Sequence, residues 1–289
     1  MLAAQRRSEI LALLERERIV RVSQLVSALG VSDMTIRRDL LALHEQGSLE
    51  KVHGGAVVRS EPSTAEPGFE VKSARQLAQK EAIAARAAQL VHPGSAIAIS
   101  AGTTTFAFAR HLVAVPGLTV VTNSVWVADL LHGAGVPSHT VLLTGGVRTP
   151  SDALVGPVAI AALRSLHLDT VFMGVHGVDA GAGFSTPNLL EAETNRAMIA
   201  SGRRMVVLAD STKWGVVGLS SMAPLSNASV LITDTGMSQS ARQAVAEHVD
   251  ELVLVAPEEF SDGWEGSTTV AASSGLVHEY GAYHPGGRA

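Results

Sequence analysis

The chain has 289 residues, 46% of them apolar and 17% charged, no cysteine, and a net charge of −5. That composition buries a sizeable core and excludes disulfides, thiolate nucleophiles and zinc ribbons. Mild acidity argues against indiscriminate coating of nucleic acid, but the charge is uneven. Residues 1–60 carry nine Lys/Arg against seven Asp/Glu, and the remainder carries 13 against 20. A locally basic head sits on an acidic body.

Residues 1–7 have no apolar core after their arginines, so they read as the approach to a helix and not as a leader. Residues 6–17 are amphipathic, with Ile10, Leu13 and Leu14 on one face. Ser23 opens a second short helix carrying Leu25, Val26 and Leu29, and Gly30 supplies a tight turn. A third helix opens at Ser32 or Asp33. Its winding turns Ile36, Leu40 and Leu43 inward and Met34, Arg37, Arg38 and Leu41 outward, with Thr35 on the flank. Adjacent arginines beside a threonine on a short helix suit the major groove of DNA, which makes Ser32, Met34, Thr35, Arg37 and Arg38 candidate contacts. The same pattern also describes an ordinary three-helix unit with a solvated basic face. Asp39 falls near the buried flank, where a carboxylate holds an arginine or a helix N-terminus. Gln46-Gly47-Ser48 breaks the helix, and residues 49–57 read as a β-hairpin turning at Gly54-Gly55. Three helices and a hairpin make a winged helix-turn-helix over residues 1–58. Its wing brings Lys51 and His53 to the phosphate backbone, with Arg59 a further candidate.

Residues 61–68 are polar and contain Pro62 and Pro67, so 59–73 read as a linker. A helix over 74–90 follows, with Leu77, Ile83, Ala84, Ala87 and Leu90 on its apolar side. Apolar runs then alternate with helical stretches at 96–100, 119–122, 141–144, 170–174, 205–210, 230–233 and 251–255. This alternation predicts a doubly wound, mostly parallel α/β sheet over 74–256, covered on both faces. Residues 87–109, 111–128 and 130–147 lack Asp, Glu, Lys and Arg except for single interruptions between them. They are too polar or too broken for hydrocarbon, and buried strands account for them. The expected setting is cytoplasmic, with no membrane partner. Several runs close on polar or glycine residues, so their loops converge on one crevice beyond the strand ends. Gly102-Thr103-Thr104-Thr105, after a strand and opening a helix, suits an anion; simple helix capping is the alternative. It is neither a Walker loop nor a dinucleotide fingerprint, so no cofactor is expected. His92, His132 and His139 lack metal-ligand spacing, and no metal is expected. Residues 257–289 are rich in Gly and Ser without periodicity and read as a flexible tail.

Thr35-Ile36-Arg37-Arg38-Asp39-Leu40 followed by His53-Gly54-Gly55-Ala56 resembles the DNA-binding half of the DeoR-type bacterial transcription regulators. The pairing of the two motifs is specific. The succession Gly102-Thr103-Thr104, Thr122-Asn123-Ser124, Gly145-Gly146, Gly177-Val178-Asp179, Glu191-Ala192 and Asp210-Ser211-Thr212-Lys213 is similar to that family's effector domain. Together they cover residues 3–256. The resemblance implies that the third helix reads double-stranded operator DNA. It also implies that the second domain has a ribose-5-phosphate isomerase-like fold and binds a phosphorylated sugar or related metabolite. By resemblance, Gly102, Thr103, Thr104 and Thr105 hold phosphate with Thr122, Asn123 and Ser124, and Gly145 and Gly146 belong to the same site. Asp179 and Lys213 face sugar hydroxyls, with Glu191 a weaker candidate. A phosphate dianion wants N–H donors and a cation, and vicinal hydroxyls want carboxylates. Asp210 has capping as its alternative, Lys213 a solvated surface position. His176 departs from the small residue expected before Gly177. The expectation is a repressor acting as a homo-oligomer on repeated half-sites. The alternative is a sugar-phosphate isomerase carrying a DNA-binding head, with Asp179, Glu191 and Lys213 in proton transfer. Asp179 is flanked by Gly177, Val178, Ala180 and Gly181, which favours binding without turnover.

Overall fold

The computed structural model describes residues 2–17, 19–46, 48–57, 63–64 and 68–257. Arg59, Gly47, most of the expected linker and the expected tail from 258 onward lie outside the described residues. Five helices and strands follow the first helix in the N-terminal unit: α1 (Ala3–Glu17), β1 (Ile19–Arg21), α2 (Val22–Leu29), α3 (Asp33–Glu45), β2 (Glu50–Val52) and β3 (Gly55–Val57). Ile10, Leu14, Leu25, Ile36, Leu40, Leu43 and Leu49 form one buried cluster, and the expected Leu13, Val26 and Leu29 pack against it partly buried. α3 begins at Ser32, whose Oγ accepts the N–H of Thr35. α2 starts at Val22, a residue ahead of the expected Ser23. There the Gln24 side chain reaches back to the Arg21 N–H at 2.8 Å.

The wing differs from the expected hairpin in one respect. It turns at His53-Gly54, and Gly55 already lies in β3, between β1 and β2. A Cβ on Gly55 would fall 2.1 Å from the Val20 carbonyl oxygen. The second glycine therefore serves the approach of β1 and not the turn.

Asp39 ties α3 to α1. It is 2% exposed, and its two carboxylate oxygens accept from Arg6 Nε at 2.5 Å and Arg7 Nε at 3.0 Å. Burial by itself would raise the Asp39 pKa. The arginine hydrogen bonds and charges outweigh that and hold it below the usual carboxylate range.

The rest of the described chain comprises α4 (Phe69–Ser73), α5 (Leu77–Ala88), β4 (Ala96–Ile99), α6 (Thr103–Leu112), β5 (Thr119–Thr122), α7 (Val125–Gly133), β6 (Thr140–Leu143), β7 (Val147–Arg148) and β8 (Leu154–Val155). After these come α8 (Pro157–Arg164), β9 (Thr170–Gly174), β10 (Gly177–Asp179), β11 (Gly183–Thr186), α9 (Leu189–Ser201), β12 (Met205–Leu208), β13 (Ser220–Ala223), β14 (Val230–Asp234), α10 (Gln239–Ala246) and β15 (Leu252–Val255). All seven expected runs enter one parallel sheet of order β15-β14-β12-β9-β4-β5-β6. Side chains alternate across it. Ile97, Ile99, Val120, Phe172, Val206 and Leu208 pack toward α5, α6 and α7. Ala98, Val121, Val171, Met173 and Val207 pack toward α8, α9 and α10.

Three expectations need correction. The single helix over 74–90 begins only at Leu77, because Gln76 takes a left-handed backbone (φ 53°) that cannot continue a helix. Leu77 is consequently 62% exposed and off the apolar face. The run at 141–144 is an edge strand, with Leu142 and Leu143 exposed instead of buried. Two small antiparallel sheets, β7–β8 and β10-β11-β13, add to the expected parallel one. Among the described residues no helix is long and apolar enough to cross a membrane.

The chain lays down β4, β5 and β6 in one direction, then returns to place β9 on the other side of β4 and builds outward to β15. Strand order reverses between β4 and β9. In an open α/β sheet such a reversal is where a crevice forms, beyond the carboxyl ends of the strands.

Asp39→Asn keeps the shape and removes the charge that two arginines require. We expect it to lower stability by about 1–3 kcal/mol, the range for hydrogen bonds to charged groups. The wild-type advantage should be full above the unfolded carboxyl pKa and vanish as pH falls through the lower folded value. Urea unfolding of both proteins from neutral to acid pH checks this. A constant difference across that range would contradict it.

Candidate functional site

The crevice is framed by polar side chains that bind the protein's own backbone. Ser100, at the end of β4, accepts the Gly174 N–H from the end of β9 at 2.9 Å. Asn123 accepts the Ala101 N–H at 2.8 Å through Oδ1 and donates through Nδ2 to the Leu154 carbonyl at 3.2 Å. Thr122 donates its hydroxyl to the Ile99 carbonyl at 2.7 Å and accepts the Ser124 N–H at 3.0 Å. Ser124 caps α7 by accepting the Val127 N–H. These three residues are buried and fix the loop geometry. Gly146 backs onto β8, where a Cβ would meet the Val155 carbonyl oxygen at 2.5 Å, and Gly145 precedes it in the same turn.

The 102–105 loop behaves differently. Gly102 is the N-cap of α6 and no side chain caps the helix, so the first-turn N–H groups keep their donors. Thr105 is buried and donates to the Gly102 carbonyl at 3.0 Å. Thr104 is buried and Thr103 half-buried at the same helix start. A helix N-terminus of this kind favours an anion through its N–H groups and its dipole.

The expected carboxylates already have partners. Asp179 Oδ1 accepts the N–H groups of Gly181 and Ala182, both at 2.9 Å, and so closes the β10–β11 turn. Glu191, in the first turn of α9, accepts hydroxyls from Thr149 at 3.1 Å, Thr186 at 2.9 Å and Ser151. Asp210 Oδ1 accepts from both the N–H and the hydroxyl of Thr212. Asp234, at the end of β14, was not singled out from sequence. It accepts the Ser211 N–H at 2.7 Å, the Ser211 hydroxyl at 2.9 Å and the Gly236 N–H at 2.9 Å.

Lys80 is the more consequential omission. It lies near the start of α5, is 6% exposed, and donates its ammonium to the carbonyls of Lys72 and Arg75. Burial depresses its pKa to about 8. Asp210 opposes that shift, and the positive charges of Lys213, Lys72 and Arg75 add to it. Lys80 therefore stands within electrostatic reach of the loop after β12. Lys213 closes the short 3-10 turn of that loop (Ser211–Lys213), half-buried and with no ion-pair partner among the described residues. His176 is half-buried in the turn after β9, its N–H on the Ser185 carbonyl.

On the winged helix, Met34 is 69% exposed and Leu41, Arg37 and Arg38 are exposed with it. Ser32 and Thr35 pair their hydroxyls at 2.9 Å at the head of α3. Arg37 is held along the helix by Asp33, through Nε and, at 3.3 Å, Nη2. Arg38 has no ion-pair partner among the described residues. Lys51 and His53 are exposed on the wing, and the Lys51 N–H contacts His44 Nδ1 at 3.4 Å.

Two family profiles match this chain: the DeoR-like helix-turn-helix domain over residues 6–61 and the DeoR C terminal sensor domain over residues 75–235. The HTH-type transcriptional regulator YgbI of Escherichia coli K12 is 40% identical over 90% of this chain and 100% of its own length. The chain belongs to the DeoR family. A putative aga operon transcriptional repressor of Escherichia coli O157:H7 is 34% identical, over 87% of this chain and 94% of that protein. Ribose 5-phosphate isomerase A from Neisseria gonorrhoeae overlaps 47% of this chain and 53% of its own, at 16% identity and a TM-score of 0.35. That likeness is too partial to bear on ligand or activity.

This DeoR-family member is a DNA-binding transcriptional regulator with a sensor domain, and the reading as an isomerase with a DNA-binding head falls away. Of the residues expected to bind an effector, the 102–105 loop and Lys213 retain donors or charge. Thr122, Asn123, Glu191 and the Oδ1 of Asp179 serve the frame. Lys80 escaped notice because one lysine in an amphipathic helix reads as a solvated one.

The depressed Lys80 pKa has a signed consequence. Between about 8 and the ordinary 10.5, the unfolded chain holds a proton that the folded regulator has shed. Wild-type stability relative to Lys80→Met should therefore rise with pH across that window. Urea midpoints of the two proteins at a series of alkaline pH values test it. A gap that stays flat would mean that Lys80 titrates like an exposed lysine.

Proposed function

We propose that the regulator is a repressor that binds repeated operator half-sites as a homo-oligomer and responds to a phosphorylated sugar in the β4/β9 crevice. Residues 1–58 serve DNA in this reading and residues 74–256 serve the effector. One observation carries it: the uncapped first turn of α6 opens at the strand-order reversal, with two cations, Lys80 and Lys213, at the same end of the sheet. A phosphate dianion matches that set of N–H donors and ammonium groups. The carboxylates near the crevice are engaged in turns and hydroxyl contacts, which suits recognition of a ligand without turnover. Repression is in keeping with the name of the aga operon relative.

α3 is the reader. Arg38 points outward opposite Ile36 and Leu40, free of the Asp33 contact that restrains Arg37. Ser32, Met34 and Thr35 lie at the helix start, where a recognition helix meets base edges, and Lys51 and His53 flank it from the wing. A single reader of this size spans few base pairs, so genomic specificity calls for more than one copy. Effector and operator are then linked: whatever free energy one takes from the other is taken back in equal measure.

Arg38→Ala should weaken operator binding by about 1–3 kcal/mol and relax one base position. Lys51→Ala should weaken all sequences alike and flatten the salt dependence by about one unit. Competition binding against point-mutated operators separates the two. Full specificity in the Arg38 variant would remove α3 from the role of reader.

Lys213→Ala tests the sensor. Operator affinity without effector should stay nearly intact, while the change produced by sugar phosphates is lost. Fluorescence anisotropy on labelled operator, with and without a panel of pentose and hexose monophosphates, reads both quantities. A variant that responds as the wild type does would place the effector elsewhere.

A further inference from the structure

Residues 69–76 lead from the winged helix into α5, and they are bolted to the sensor at both ends. At one end Phe69 stacks on Trp126 (centroids 5.2 Å, planes 17° apart) and meets Phe106 edge-on at 5.6 Å. Phe106 and Trp126 lie in the first turns of α6 and α7, the helices that leave β4 and β5. At the other end, the Lys80 ammonium holds the carbonyls of Lys72 and Arg75, and its own N–H bonds the Gln76 carbonyl at 3.0 Å. Between these anchors Gln76 sits at φ 53°, ψ 44°, a left-handed backbone that a residue with a Cβ adopts at a cost. Such a conformation persists only where its surroundings hold it. Here the hold is Lys80, acting on the carbonyl immediately before the strained residue.

We infer that Lys80 is the positioning residue that couples the crevice to the DNA-binding end, by holding residues 69–76 in a strained turn that a bound anion releases. The inference rests on the effector reading above. Lys80 has three N–H donors, and two are spent on neutral carbonyls. A phosphate oxygen attracts the ammonium more strongly than a neutral carbonyl does, because it adds charge–charge attraction to the hydrogen bond. An anion that recruits the ammonium takes the donor from the Lys72 and Arg75 carbonyls. Gln76 then loses what kept it left-handed and relaxes, and α4 shifts with it. The winged helix precedes α4 in the chain, and on this inference the shift of α4 alters its placement on DNA. The stored strain makes this two-state: the turn is either held by Lys80 or relaxed.

The decisive variant is Gln76→Gly in the full-length regulator. Glycine adopts the left-handed turn without strain, so the turn persists after Lys80 lets go. Inorganic phosphate and a panel of pentose and hexose monophosphates serve as probes. Their binding, read by calorimetry, should persist, weakened at most by the small strain that the variant no longer releases. The effector-induced change in operator affinity, expected at roughly 5- to 150-fold in the wild type, should fall to about twofold or less in the variant. An undiminished response with intact probe binding overturns the inference. A second measurement needs no effector. In Lys80→Met, amide hydrogen exchange should quicken across residues 72–76 and stay unchanged in the winged helix. Unaltered exchange across 72–76 overturns the inference as well. If no probe binds the wild type, the effector reading fails by itself, and the exchange measurement still decides whether Lys80 holds the turn.

Discussion

The reversal of strand order between β4 and β9 is the constraint on which the regulator's sensing end depends. Crossovers between parallel strands are right-handed, so strands added in opposite directions send their helices to opposite faces. α5, α6 and α7 cover one face, and α8, α9 and α10 cover the other. The two series part between β4 and β9, the point at which open α/β sheets take ligands. Ser100 ties the ends of β4 and β9 together there by accepting the Gly174 N–H. The polar residues around it then divide by task. Asn123, Thr122 and Asp234 saturate backbone groups that would otherwise be buried without partners. The start of α6, by contrast, is left without a side-chain cap.

The same economy governs charge. Asp39 engages Arg6 and Arg7, and Asp33 engages Arg37, so of the two outward arginines of α3 the one without an acidic partner among the described residues is Arg38. Near the crevice the carboxylates are committed to N–H and hydroxyl donors, while Lys80 is held in a buried place that depresses its pKa. A buried cation beside three other cations, with Asp210 as the opposing charge, gains from a further anion. That imbalance supports a sensor. Proton transfer along a sugar would need an uncommitted base in the same place.

Much of this architecture is legible in the sequence, for identifiable reasons. Each strand of the central sheet is a short apolar run between helical stretches, and every one of the seven runs entered the sheet. α3 was readable because its apolar period is clean and Ser32 marks its start. The antiparallel strands β7, β8, β10 and β11 are two to four residues long, too short to show a period. β1 is likewise three residues between two helices. The break at Gln76 carries no glycine or proline to announce it, and the lysine that bonds the preceding carbonyl stands four residues further on. In the crevice, motif order pointed to Thr122, Asn123 and Asp179. A sequence does not say where a hydrogen bond goes, and these side chains bond their own backbone.

The central claim is that two separate sites, one for DNA and one for an anionic metabolite, share a single conformational equilibrium. Reciprocity tests it most directly. The affinity of the best-binding sugar phosphate should be measured by calorimetry on the free regulator and on its complex with operator DNA. The account predicts that operator changes sugar-phosphate affinity by the same factor by which the sugar phosphate changes operator affinity. Equal sugar-phosphate affinity with and without operator would contradict it.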